Sequence, residues 1–143
     1  MNVRDLSIGD WVCYTGKCID GIGPNRKITY IERDTCGLLI GLDYGGFHYS
    51  SAKIEDIVPI PITPEILEKN GFVKESEIGY ERFEWRENGS VAITLNRISF
   101  SNSETFVLST FKIGINGWLL KIEHVHELQH AIRLAGIEKE IEV

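Results

Sequence analysis

The chain has 143 residues, 43% of them hydrophobic and 25% charged, which is enough to build one ordinary core or two small ones. Its formal net charge is −6, and neither half has a basic excess, so nucleic-acid binding, which requires phosphate neutralisation, is disfavoured. No apolar run approaches the roughly 18 residues of a membrane-spanning helix, and no signal peptide is recognised. We therefore expect a folded, cytoplasmic protein with no membrane partner.

The composition changes within the chain. All aspartates and all three cysteines precede residue 57, whereas most glutamates follow residue 62. Between these parts lies Pro59-Ile60-Pro61-Ile62-Thr63-Pro64, whose three prolines favour an extended, semi-rigid connection. We predict two domains, residues 1–62 and 63–143.

Short strands are predicted in the first domain. Residues 6–14 are predicted to form a turn that leads into a strand. Period-two alternation and turn residues place further strands at 27–32, 37–42, 47–50 and 54–60, with a hairpin turn at 43–46. Five such strands in about sixty residues are too short for a stable flat sheet. We expect an SH3-like small β-barrel.

The second domain is predicted to be α+β. Thr63 and Pro64 begin a short helix that ends at Asn70-Gly71. An antiparallel β-meander then follows, with strands at 80–86, 91–95, 97–100, 105–113 and 118–120 and a hairpin turn at Asn88-Gly89. A C-terminal α-helix, 123–136, should pack on this meander, and the last residues of the charged segment 137–143 should fray.

This helix contains His126-Glu127-Leu128-Gln129-His130, which matches the His-Glu-x-x-His pattern of zinc peptidases. Residues four apart on a helix point the same way, so His126 and His130 could share a Zn²⁺ ion while Glu127 activates its water as the catalytic base.

A third metal ligand is not evident. Arg133 and Gly136 exclude the extended metzincin form, and only Glu138, Glu140 and Glu142 remain downstream. On a helical wheel the buried stripe is Val125, Leu128, Ile132 and Ala135, which places His126 and His130 on the solvent face. The motif thus has two interpretations, a zinc site or a coincidence on a packing helix.

Aromatic residues are concentrated in the first domain. One interpretation assigns them to the core and rim of the barrel. In the other, part of the set lines a groove that binds a protein or peptide partner, the candidates being Trp11, Tyr14, Tyr44, Phe47 and Tyr49. The odd cysteine count and the spacing of Cys13, Cys18 and Cys36 indicate reduced, mostly buried thiols, and the alternative is a redox or metal role.

Three motifs resemble a known family. They are Gly9-Asp10-Trp11-Val12, the segment 59–67 followed by Asn70-Gly71-Phe72, and Val125-His126-Glu127-Leu128-Gln129. Together they resemble a family of small proteins from phage and mobile-element regions of gut bacterial genomes. The resemblance implies a cytoplasmic accessory of phage or transferred DNA, and it carries no assigned activity.

Two functions from different classes follow from these observations. The first is a non-enzymatic binding or assembly module of phage or mobile-element origin that needs no cofactor. The alternative is a zinc-dependent hydrolase that uses His126, Glu127 and His130.

Overall fold

The computed structural model describes residues 5–16, 25–34, 37–43, 50–77, 80–100, 103–110 and 120–143. Within these segments the chain has two antiparallel β-sheets and two α-helices, so the predicted α+β class is confirmed. The chain forms two compact units, Met1–Ile60 with Val143 and Pro61–Glu142. None of the described helices is long and apolar enough to cross a membrane.

The first unit contains one sheet of five antiparallel strands. They are β1 (Trp11–Tyr14), β2 (Asn25–Asp34), β3 (Gly37–Leu42), β4 (Ser50–Lys53) and β5 (Ile57–Pro59). Their order is β4-β3-β2-β1-β5, so the last strand returns to pair with the first. Over the described residues no pairing joins β4 to β5, and a closed barrel is therefore not seen there.

Alternate strand residues form the core of this unit. The buried cluster is Leu6, Val12, Ile28, Ile40, Leu42, Ala52 and Ile57. The turn before β1 is fixed by the buried Asp10, whose carboxylate accepts the Ser7 N–H at 2.7 Å while its own N–H donates to the Ser7 carbonyl at 3.1 Å. Both bonds join Ser7 to Asp10, so the side chain reinforces the backbone contact that closes the turn.

Three predicted strands of the first unit differ from those observed. The second is longer than predicted and runs from Asn25 to Asp34. The fourth begins at Ser50 and runs to Lys53, while residues 47–49 of the prediction lie outside the described segments. The predicted strand 54–60 starts instead with one turn of 3₁₀ helix, Ile54–Asp56, and only Ile57–Pro59 is strand. The Asp56 carbonyl accepts the Thr15 N–H at 2.8 Å and the Thr15 hydroxyl at 3.0 Å, so a tertiary contact fixes the point where β5 begins.

The second unit is an antiparallel meander with a helix before and after it. Its elements are α1 (Pro64–Lys69), β6 (Val73–Glu77), β7 (Tyr80–Glu87), β8 (Ser90–Phe100), β9 (Ser103–Thr110), β10 (Leu120–Ile122) and α2 (Val125–Leu134). Each strand pairs with the next, in the order β10-β9-β8-β7-β6.

The predicted turn at Asn88-Gly89 is confirmed, because both residues have positive φ, 52° and 80°, as a type I′ hairpin turn requires. The break predicted at Asn96 is wrong: β8 is one continuous strand from Ser90 to Phe100, held by β7 and β9 on its two sides. The edge strand β6 was not predicted, since its sequence Val-Lys-Glu-Ser-Glu has one apolar residue and hence no clear period.

Both helices end in the same way. In α1 the Phe72 N–H donates to the Leu67 carbonyl at 3.0 Å, and in α2 the Ile137 N–H donates to the Ile132 carbonyl at 3.1 Å. The intervening glycines, Gly71 and Gly136, have φ of 78° and 67°. These are Schellman caps, and the two apolar residues of each cap are buried, as the motif favours.

The segment after α2 is ordered by burial. We call residues 137–142 the strap. Ile137 is 3% exposed and Ile141 is fully buried, although neither lies in a helix or strand. The prediction that the last residues of this segment fray is therefore wrong at Ile141, whose apolar side chain is removed from water.

Candidate functional site

The His-Glu-x-x-His motif lies in the first two turns of α2. His124 is the N-cap residue, and Val125 is the first residue of the helix. An isolated bridge between Pro61 and His124, with a hydrogen bond from the Ile62 N–H to the Glu123 carbonyl at 3.0 Å, fixes where the helix begins. The helix start is thus held by the segment that precedes α1.

Glu127 is part of the helix cap. Its Oε2 accepts the backbone N–H of Glu123 at 2.6 Å and that of His124 at 3.0 Å, while Oε1 lies 3.5 Å from His124 Nδ1. A glutamate three residues after the N-cap commonly makes this contact, which satisfies N–H groups that have no partner within the helix. A general base must instead be free to take a proton from bound water.

The same contacts set the protonation of Glu127. Partial burial raises its pKa, but the N–H donors of Glu123 and His124, together with the His124 imidazole, outweigh that effect. The pKa of the Glu127 carboxyl therefore lies below its ordinary value of 4.5. The cap thus stabilises the carboxylate form and lowers the pKa of Glu127. A general base at pH 7 would instead need a pKa raised towards 7.

His126 is buried, which corrects the prediction that it faces solvent. Its exposure is 4%, as is that of Gln129, whereas His130 is partly exposed. At about 100° per residue, these two side chains extend the buried arc of α2 to about 160°. The apolar residues alone define a narrower stripe, so the wheel placed His126 outside it.

The three imidazoles lie close together. The rings of His124 and His126 are stacked with centroids 5.7 Å apart, and those of His126 and His130 meet edge to face at 6.1 Å. Among residues whose positions are described, no group of three or more His, Cys, Asp or Glu side chains could hold a metal ion. The possible downstream ligands, Glu138, Glu140 and Glu142, are exposed.

The aromatic candidates of the first unit fall on different faces. Tyr14 packs against the buried core, and its phenol lies over Gly16, where a Cβ atom would overlap it. Trp11 lies three residues earlier in the strand and so points to the opposite face. Tyr44, Phe47 and Tyr49 lie outside the described residues.

Trp11 shares its face of the sheet with Cys13, Lys27 and Val58. Lys27 lies directly opposite Trp11 on β2, with its Nζ 5.4 Å from the ring centroid, within the range of a cation–π contact. Val58 lies directly opposite Cys13 on β5 and is 40% exposed. We call Trp11, Cys13, Lys27 and Val58 the outer patch. Cys13 is a free, only partly buried thiol, so the prediction of burial fails there, whereas Cys18 and Cys36 lie outside the described segments.

Several buried polar residues were not predicted. Glu84 is 7% exposed and lies between Arg82 and Arg86, with N–O distances of 3.3 and 2.9 Å. The Arg-x-Glu-x-Arg spacing on a strand places all three on one face and could have identified this group. Asn70, 8% exposed, was interpreted only as a helix stop, although its side chain contacts the strap.

Comparison of the chain with protein-family models, with curated proteins and with solved structures gives no match.

Proposed function

We propose that this protein is a non-enzymatic binding or assembly module of phage or mobile-element origin that acts in the cytoplasm. In this proposal the first unit is an SH3-like barrel that binds an extended peptide segment of a protein partner through the outer patch. The second unit is a meander whose face is covered by the buried side of α2, Val125, Leu128 and Ile132.

The barrel proposal is supported by the path of the strands. β4 and β5 are the two edge strands of the sheet, and only one turn of 3₁₀ helix, Ile54–Asp56, joins them. So short a connection holds one end of each edge strand close to the other, which favours a strongly curled sheet with protected edges.

The outer patch is the observation that carries the binding proposal. It combines an aromatic ring, an aliphatic side chain and a cation on adjacent strands, on the face opposite the core residue Val12. Tryptophan is the side chain most enriched where a few residues dominate a protein interface. Lys27 beside the ring favours an extended ligand with an acidic residue.

The hydrolase alternative requires more change. Glu127 would have to leave the N–H groups of Glu123 and His124, and the buried His126 would have to reach a metal ion. The first step would remove the acceptor from two N–H groups at the start of α2, and the second would move a side chain that is buried.

Peptide display on the immobilised full chain tests the proposal. Selected peptides are measured by fluorescence anisotropy against the wild type and Trp11→Ala, with Leu134→Ser as the matched control, since Leu134 is an 88% exposed apolar residue elsewhere. We expect Trp11→Ala to weaken binding about tenfold or more and Leu134→Ser to leave it unchanged. Failure to select any peptide, or equal binding by a folded Trp11→Ala variant, would overturn the proposal.

A further inference from the structure

The strap is held by its backbone as well as by its apolar side chains. The Asn70 Nδ2 donates to the Glu142 carbonyl at 2.7 Å, and the Glu142 N–H donates to Asn70 Oδ1 at 2.9 Å. One side-chain amide thus satisfies both backbone groups of one residue, as a neighbouring strand would do. Because the Glu142 side chain is exposed, this contact is independent of which residue occupies the position.

Contacts other than those with the strap hold the Asn70 side chain in place. Asn70 is the C-cap residue of α1, and its Nδ2 also donates to the Ile66 carbonyl at 2.8 Å. The residue is 8% exposed, so its amide has little freedom to rotate. A preorganised amide next to buried apolar positions is a suitable arrangement for holding an extended chain.

The side chains of the strap alternate between buried and exposed. Ile137 and Ile141 point inwards, whereas Glu138, Glu140 and Glu142 are exposed. Lys139 lies between them with its Nζ 5.3 Å from the Trp85 ring centroid, so it covers one side of that ring. The strap therefore contacts the unit in the way that a bound peptide would, with apolar anchors, backbone hydrogen bonds and an exposed polar edge.

We propose that the surroundings of Asn70 form a second peptide-binding site, separate from the outer patch, which the strap occupies as an internal ligand. Its external ligand is an extended peptide. One residue of this peptide forms backbone hydrogen bonds with Asn70, and the residue immediately before it is branched and aliphatic. The strap blocks the site until it detaches, and a peptide of this kind competes with it. Since a short tether gives the strap an effective concentration on the order of millimolar, the intact chain binds such a peptide weakly.

Hydrogen exchange of the wild type tests whether the strap detaches. The Glu142 amide reports on the bond to Asn70, and the Leu95 amide in the central strand β8 reports on global unfolding. We expect the Glu142 amide to exchange about a hundredfold faster than that of Leu95 after correction for intrinsic rates. Equal corrected rates would overturn the proposal, because the strap would then open only when the whole unit unfolds.

Binding is tested with a fluorescent synthetic peptide of residues 136–143 and full-length variants. Ile141→Ala weakens the internal ligand and should bind the peptide about tenfold more tightly than the wild type. Asn70→Ala combined with Ile141→Ala should lose that gain, as should the same peptide carrying Ile141→Ser.

If Ile141→Ala loses its fold, Glu142→Pro is used in its place. This substitution removes the N–H donor to Asn70 and keeps both isoleucines. The proposal would be overturned if Ile141→Ala bound the peptide no more tightly than the wild type. It would also be overturned if the double variant with Asn70→Ala bound the peptide as tightly as Ile141→Ala alone. Loss of the fold in both Ile141→Ala and Glu142→Pro would also overturn it, because the strap would then belong to the core.

Discussion

The Glu127 carboxylate accepts the backbone N–H of His124 at 3.0 Å, so the central residue of the His-Glu-x-x-His motif closes the helix that carries it. The same oxygen accepts the Glu123 N–H at 2.6 Å. This relationship gives the motif a structural explanation that requires no metal, and it makes quantitative predictions.

Removing the cap should destabilise the protein. Glu127→Ala leaves two N–H groups without their acceptor and should lower the free energy of unfolding by about 1 kcal/mol. Glu127→Gln retains an acceptor and should cost less. Urea denaturation followed by circular dichroism measures both, with the exposed Glu138→Ala as the control. Equal stability of all variants would contradict the capping role.

The cap should also depend on pH. The pKa of Glu127 is lower in the folded protein than its ordinary value of 4.5, so its contribution to stability is complete above that value. That contribution is lost as the pH falls through the folded pKa. The stability difference between wild type and Glu127→Gln should therefore shrink as the pH falls below 4.5. A difference that grew on acidification would contradict this assignment.

Zinc should not stabilise the protein. His126 is 4% exposed and Glu127 is engaged in the cap, so neither is positioned to bind or use a metal ion. A site with a Kd of about 1 µM would add about 2.7 kcal/mol at about 100 µM Zn²⁺. We expect no such gain in thermal denaturation of protein purified without a histidine tag. Stabilisation that His126→Ala abolishes would instead support the hydrolase alternative.

The two helix-ending glycines should respond alike to substitution. Gly71 and Gly136 have φ of 78° and 67°, and a Cβ atom at either position would meet nothing within 4 Å. Alanine at either site should therefore cost about 1 kcal/mol through backbone strain alone. Asparagine, which tolerates this conformation better, should cost less, and the exposed Glu68→Ala is the control. Unchanged stability of both alanine variants in chemical denaturation would contradict the Schellman assignment.

Tyr30 and Gly41 should be energetically coupled. They lie directly opposite each other on β2 and β3, and a Cβ at Gly41 would overlap the Tyr30 ring. Gly41→Ala should cost about 1–3 kcal/mol in the wild type and less in the Tyr30→Ala background. A double-mutant cycle measures the coupling, and strictly additive effects would show that the ring does not rest on Gly41.

Local signals determined much of the fold. Thr63 and Pro64 begin α1, Asn88-Gly89 forms the β7–β8 turn, and Gly136 ends α2, as the sequence predicts. Each depends on side chains within a few residues of the backbone they stabilise, so no distant contact is needed to recognise them. The separation of Trp11 and Tyr14 onto opposite faces was also present in the sequence, because residues three apart in a strand face opposite ways.

Only the tertiary structure decided the rest. The unbroken length of β8 and the anchoring of the strap by Asn70 depend on residues far away in the chain, 72 residues in the second case. The burial of His126 exceeds what the apolar pattern of α2 indicates. An apolar pattern indicates which side of a helix is buried, but the width of the buried arc is set by what packs against it. For that reason the sequence by itself determined both helices and the Asn88-Gly89 turn, whereas tertiary packing decided the extent of several strands and the partial burial of the zinc-type motif at the start of α2.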